Sequence, residues 1–131
     1  MLSDSKVEAN IPASDLQRAR AFYAEKLGLT PTAEFGEEAL AYRTHGGTTF
    51  NVYRTAYAGQ AGHTIAQWHV ADIESEVRDL KAKGVTFEVY EDMPGVHWDG
   101  EIADLPGMGR AAWFKDSEGN TMCVDQPESG G

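Results

Sequence analysis

The chain has 131 residues, a net charge of −10 and one cysteine, Cys123. That length carries one domain with a real core. The acidic balance argues against nucleic acid, whose phosphates need Lys and Arg, and against an anionic membrane surface. A lone cysteine forms no intramolecular disulfide and fits a reducing compartment. With no 18-residue apolar run and no apolar leader in MLSDSK, the chain reads as a soluble cytoplasmic protein.

In chain order, Val7, Ala9, Ile11 and Ala13 alternate with Glu8, Asn10 and Pro12, which predicts a strand over 7–13. Ser14 or Asp15 caps a helix, with Gln17 placed for a capping box. Leu16, Ala19, Tyr23 and Leu27 form its apolar stripe, and Gly28 stops it. A short strand is expected within 31–38, and two more over 39–44 and 48–54 around His45-Gly46-Gly47. The pattern then repeats. A strand through Ala66, Trp68 and Val70 reaches Asp72, and a helix with stripe Ile73, Val77 and Leu80 ends at Gly84. Strands follow over 85–90, 110–115 and 121–125, the last two joined by Asp116-Ser117-Glu118-Gly119-Asn120. Residues 91–109, with two Pro and four Gly, read as a long loop of functional type. Residues 127–131 lack apolar side chains and read as a disordered tail.

Asp15 and Asp72 are 57 residues apart. Each opens a strand–Asp–helix–Gly layout, so the chain is one domain built from two halves. Module one covers about 6–55 and module two about 63–126. Each half, roughly 60 residues, is marginal alone. The expected architecture is α+β, two βαβββ modules whose join forms a cleft.

Three stretches carry a family resemblance: SDLQRARAFYAEKLGL, VADIESEVRDLKAKGVTF and AAWFKDSEGNTMCV. Together they resemble the vicinal oxygen chelate superfamily, also called the glyoxalase, bleomycin-resistance and extradiol dioxygenase superfamily, over about residues 6–126. The resemblance implies curled sheets around a shared cavity. It also implies four metal-ligand positions, which fall on Glu8, Asn51, Ile65 and Cys123. Only Glu8 is a common ligand and Ile65 has no donor, whereas a catalytic metal needs about three protein ligands. The expectation is therefore no metal and no cofactor. Homodimers are common among members resembling this chain, and a homodimer is expected here.

Strand parity nominates the cavity wall: Glu8, Asn10, Asn51, Tyr53, Ile65, Gln67, His69, Thr121, Cys123 and Asp125, with Arg43 and Trp113 added from neighbouring strands. Aromatic surface with a few polar groups suits a small organic ligand. Trp68 and Phe114 are assigned to the core. Trp98 belongs to the long loop, read as a lid or dimer contact, because an exposed Trp needs a surface. Two function classes stay open. One is a metal-free, bleomycin-resistance-like protein that binds a small organic ligand in the cleft. The other is an enzyme of lyase, isomerase or dioxygenase class, with Glu8 as catalytic base or a non-standard metal site. The ligand-binding candidates are Asn10, Arg43, Asn51, Tyr53, Gln67, His69, Trp98, Trp113 and Cys123.

Overall fold

A computed structural model describes residues 1–128. The chain divides into two compact units. The first is Met1–Gln60 with Ser117–Asn120, and the second is Ala61–Asp116 with the chain from Thr121 onward.

In the first unit a single 3-10 turn, Leu2–Asp4, precedes β1 (Ala9–Ala13), α1 (Leu16–Leu27), β2 (Ala33–Phe35), β3 (Ala39–Arg43) and β4 (Thr49–Arg54). The sheet order is β1-β4-β3-β2, with β1 parallel to β4 and the other pairs antiparallel. Asp15 is the N-cap of α1, its carboxylate accepting from the Arg18 N–H at 3.0 Å. Gly28 takes the left-handed conformation that ends the helix (φ 71°). Leu16, Ala19 and Tyr23 of the predicted stripe are buried with Ile11, Ala13, Leu40, Tyr42 and Val52 of the sheet, while Leu27 is half-buried at the helix end. Tyr42 stacks on Phe50 at 5.0 Å and meets Tyr23 at 5.6 Å. The expected first strand loses Val7 and Glu8, which are exposed and precede β1. Gln17 completes no capping box. Ser14 instead donates to Glu118 at 3.2 Å.

The turn Ser117–Asn120 is built into this unit. Glu118 accepts from Arg18 Nε at 2.8 Å, Arg18 Nη2 at 3.0 Å and the Asp15 N–H at 2.9 Å. Burial pushes its carboxyl up, but the Arg18, Asp15 and Ser117 hydrogen bonds prevail and bring it down to about 2. Asn120 donates to the Pro12 carbonyl at 2.8 Å and accepts from the Gly59 N–H at 3.3 Å. A Cβ on Gly59 would lie 2.7 Å from the Glu118 carbonyl, so only glycine allows this approach.

The second unit holds β5 (Thr64–His69), α2 (Ile73–Ala82), β6 (Phe87–Glu88), β7 (His97–Asp99), β8 (Ile102–Leu105), β9 (Gly109–Lys115) and β10 (Thr121–Pro127). Its sheet runs β5-β10-β9-β8-β7, with β6 also on β9 and β5 parallel to β10. Asp72 caps α2 through the Ser75 N–H at 3.2 Å. Ile73, Val77 and Leu80 are buried with Phe87, Ala112, Phe114, Met122 and Val124.

Three expectations change here. The stretch 91–109 is no structureless loop. Trp98 pairs with Ala103 in a β7–β8 hairpin, and β8 pairs with β9 from Ala103↔Ala111 to Leu105↔Gly109. The free edge of β9 recruits it, and Gly100 (φ 64°) closes the turn. The expected strand over 85–90 contracts to Phe87–Glu88. Pro127, expected in the tail, ends β10 opposite Gly109, a terminal ladder position where its missing N–H costs little. Glu128, also expected in the tail, donates its N–H to the Met108 carbonyl at 3.3 Å, and 129–131 lie outside the described residues.

Candidate ligand-binding face

The first unit contributes a sheet face turned away from α1. On it, Asn10 and Asn51 are register partners, and the Asn51 amide donates to Asn10 Oδ1 at 3.2 Å. Tyr53, two residues further along β4, is 40 % exposed, opposite Ala39. Arg43 ends β3 on the same parity, exposed. Ala39 lies between Tyr53 and the exposed ring of Phe35, and Ala33 and Ala41 continue the row of Asn51 and Asn10. Strand parity thus unites Asn10, Arg43, Asn51 and Tyr53. Glu8 lies just upstream of β1 and is exposed.

In the second unit, Gln67, Cys123 and Trp113 form one row across β5, β10 and β9. His69, Asp125 and Ala111 form the next. A cavity of about 160 Å³ opens on this face. Its walls include Gln67, Cys123, Trp113 and Asp125, with Leu105 and Met108 from the β8–β9 turn. The β5–β10 register shifts between Thr121 and Met122 and passes over Ile65, and Thr64 joins the lining in its place. Thr64 Oγ1 accepts from Trp113 Nε1 at 3.2 Å, which holds the indole across the sheet. Parity had nominated Ile65, and a bulge of this kind leaves no composition signal.

The polar rim is a small network. His69 Nδ1 lies 2.8 Å from Asp125 Oδ1, which also accepts from Gln67 Nε2 at 3.2 Å. Cys123 is 3 % exposed. Burial, then the Asp125 charge, pushes its thiol up to about 12, so it stays protonated at neutral pH and is a poor nucleophile. Gly109 begins β9 at φ 123°, where a Cβ would lie 2.2 Å from the Gln126 carbonyl. That close approach sets the cavity's rim and requires glycine.

Trp113 packs against Tyr90 at 5.8 Å and Trp98 at 6.0 Å. Sequence reasoning missed Tyr90 and Glu88. Glu88 is the register partner of Trp113 and so shares its face. The alternation Phe87-in, Glu88-out was the available signal. Trp68 faces the other way, stacked on Phe114 at 6.5 Å, but it is half-buried rather than in the core position expected for it.

The residues at the family's metal positions do not make a metal site. Asn51 offers only a neutral amide oxygen, Ile65 offers no donor, and Cys123 is buried and protonated. This donor set does not fit a divalent metal. Among the described residues no group of three or more His, Cys, Asp or Glu side chains could hold a metal ion. Nor is any helix among them long and apolar enough to cross a membrane.

Comparison with solved structures shows the fold. A bleomycin resistance determinant encoded on the transposon Tn5 is 18 % identical, with TM-score 0.70, covering 95 % of this chain and 98 % of that one. A bleomycin-binding protein complexed with bleomycin is 19 % identical, with TM-score 0.68 and coverage of 95 % and 99 %. A lactoylglutathione lyase from Agrobacterium tumefaciens is 14 % identical, with TM-score 0.68 and coverage of 93 % and 92 %. No curated protein sequence matches significantly. The family profile for the Glyoxalase/Bleomycin resistance protein/Dioxygenase superfamily matches residues 7–124, and the chain, with its two helix-and-sheet modules, belongs to that superfamily.

Proposed function

We propose that this protein binds a small organic ligand on the open face of the second module's sheet, without a metal and without changing the ligand's bonds. The observation that carries this reading is the cavity against Trp113. At about 160 Å³ it matches the roughly 150 Å³ that accommodates a benzene-sized ring. One flat group enters, and the rest of the ligand lies along the rim. Trp113 supplies a ring to stack on, Gln67 and Asp125 supply polar contacts, and Cys123 and Ala111 form the floor. Trp98 extends the aromatic wall. The protonated Cys123 thiol favours binding over covalent catalysis. The likeness to a bleomycin-binding protein with its ligand favours the same class. Asn10, Arg43, Asn51 and Tyr53 are proposed as ligand contacts of the first module's own sheet face. We further propose a homodimer in a reducing cytoplasm, where the buried Cys123 stays free.

The test is a fragment titration read by NMR on the Trp113 indole N–H, the group bonded to Thr64. Ring-sized fragments should shift that signal saturably and be recovered unchanged. A panel that leaves it unmoved, or fragments that are converted on incubation, would contradict the reading. Elemental analysis of protein purified without chelator should give less than about one-tenth equivalent of any transition metal. Stoichiometric metal would overturn the metal-free part.

A further inference from the structure

Beside Trp113, on the same face of the sheet, sits a carboxylate. Glu88 lies opposite Trp113 in the β6–β9 ladder, and its Oε1 is buried with no hydrogen-bond partner among the described residues. Tyr90, which packs on Trp113 at 5.8 Å, has its hydroxyl pushed up by burial, then by Glu88 and by Cys123. Glu88 is therefore within electrostatic reach of Tyr90 and so of the ring cluster on Trp113. Asp125 adds a second carboxylate at the rim.

The cations nearby do not cancel this. Arg110 lines the cavity, but its guanidinium is held by Glu74 at 2.8 Å and Gln126 at 3.3 Å. Lys115 shares the face's parity but is exposed at the far end of β9. His69 is already paired with Asp125. A buried acceptor with no donor is costly until a donor arrives, and a charged N–H is the strongest one. The faces of Tyr90, Trp98 and Trp113 attract a cation as well. With Oε1 buried, the carboxylate's field is less screened than in bulk water, and it acts on a ligand against Trp113 even without touching it.

Given the ligand-binding role proposed for this face, on which its selectivity depends, we propose that Glu88 is the specificity-determining residue. It selects ligands whose flat ring carries a cationic N–H group, such as an amidinium or an aminated heteroaromatic, over neutral or anionic rings of the same shape.

Benzamidine, benzamide and benzoate are close in shape and carry charges of +1, 0 and −1 near neutral pH. Titrated into the full chain and followed on the Trp113 indole N–H, benzamidine should bind at least about tenfold more tightly than the other two. Glu88→Gln should remove that preference while leaving benzamide affinity within about twofold. Glu88→Asp, which keeps the charge, should retain most of it. Equal affinities for the three probes, or a preference that survives Glu88→Gln, would overturn the inference while leaving the binding site standing. So would a preference abolished by Asp125→Asn but not by Glu88→Gln. If none of the three probes moves the indole signal, the binding role itself fails, and the selectivity with it.

Discussion

The two sheets begin from the same layout and present different open faces. In the first module that face is floored by Ala33, Ala39 and Ala41, and its central polar groups satisfy each other, Asn51 with Asn10 at 3.2 Å. In the second module the face carries Trp113, Trp98 and Tyr90 with a cavity beside them, and a carboxylate oxygen with no partner among the described residues. The helix-facing sides stay alike, apolar and buried beneath one capped helix each. The repeat keeps what holds a module together and varies what faces outward, so function is sought where the halves diverge. A face whose central amides are paired with each other offers a ligand less than one with an unpaired acceptor beside aromatic rings.

The largest expected effect separates the two sides of β9. Phe114 is fully buried, and Phe114→Ala should cost about 3–5 kcal/mol in unfolding free energy. Trp113→Ala, one residue away on the other face, should cost much less stability and abolish fragment binding. Equivalent stability losses, measured by denaturant titration, would mean Trp113 is core and the comparison fails.

Next is the Glu118 anchor of the first unit. Removing its charge leaves Arg18, Ser14 and the Asp15 N–H without their acceptor, and Glu118→Ala should cost roughly 2–3 kcal/mol. The pH dependence has a definite sign. The folded carboxyl sits at about 2, below its ordinary 4.5, so its stabilisation is present above pH 4.5 and is lost as pH falls from 4.5 toward 2. Glu118→Ala should flatten that part of the stability–pH curve. A variant as acid-sensitive there as the wild type would show that other carboxylates dominate.

A third contrast pairs two tryptophans. Trp68→Ala removes a ring stacked on Phe114 and should lower stability by about 2 kcal/mol, leaving affinity intact. Trp98→Ala should weaken ligand binding at least about tenfold with a smaller stability loss, since burying such a ring against a ligand contributes a few kcal/mol. A larger melting-temperature drop from Trp98→Ala would make the β7–β8 hairpin purely structural. The smallest effect concerns assembly. Light scattering at micromolar concentration should give about twice the 14.3 kDa chain mass, and a monomer mass would reject the dimer.

The sequence carried the frame of this fold well and its site only in part. Asp15, Gly28, Asp72 and Gly84 mark helix ends by local chemistry, and the buried stripes follow from a 3.6-residue period, so both were readable. The opposite fates of Trp113 and Phe114 follow from strand alternation alone. The exchange of Ile65 for Thr64 was not readable, because a register shift is decided by the partner strand. Nor was the β7–β8 hairpin, whose Gly and Pro resemble loop chemistry until the edge of β9 recruits it. Glu118 looked like a turn residue, since its partner Arg18 is 100 positions away.

The most direct measurement compares indole signals in one titration. Saturating the protein with a ring-sized fragment should move the Trp113 indole N–H, perturb its bond to Thr64, and leave the Trp68 indole where it was. A shift confined to Trp68, or no shift at Trp113 at saturation, would contradict a ligand site on the second module's open face.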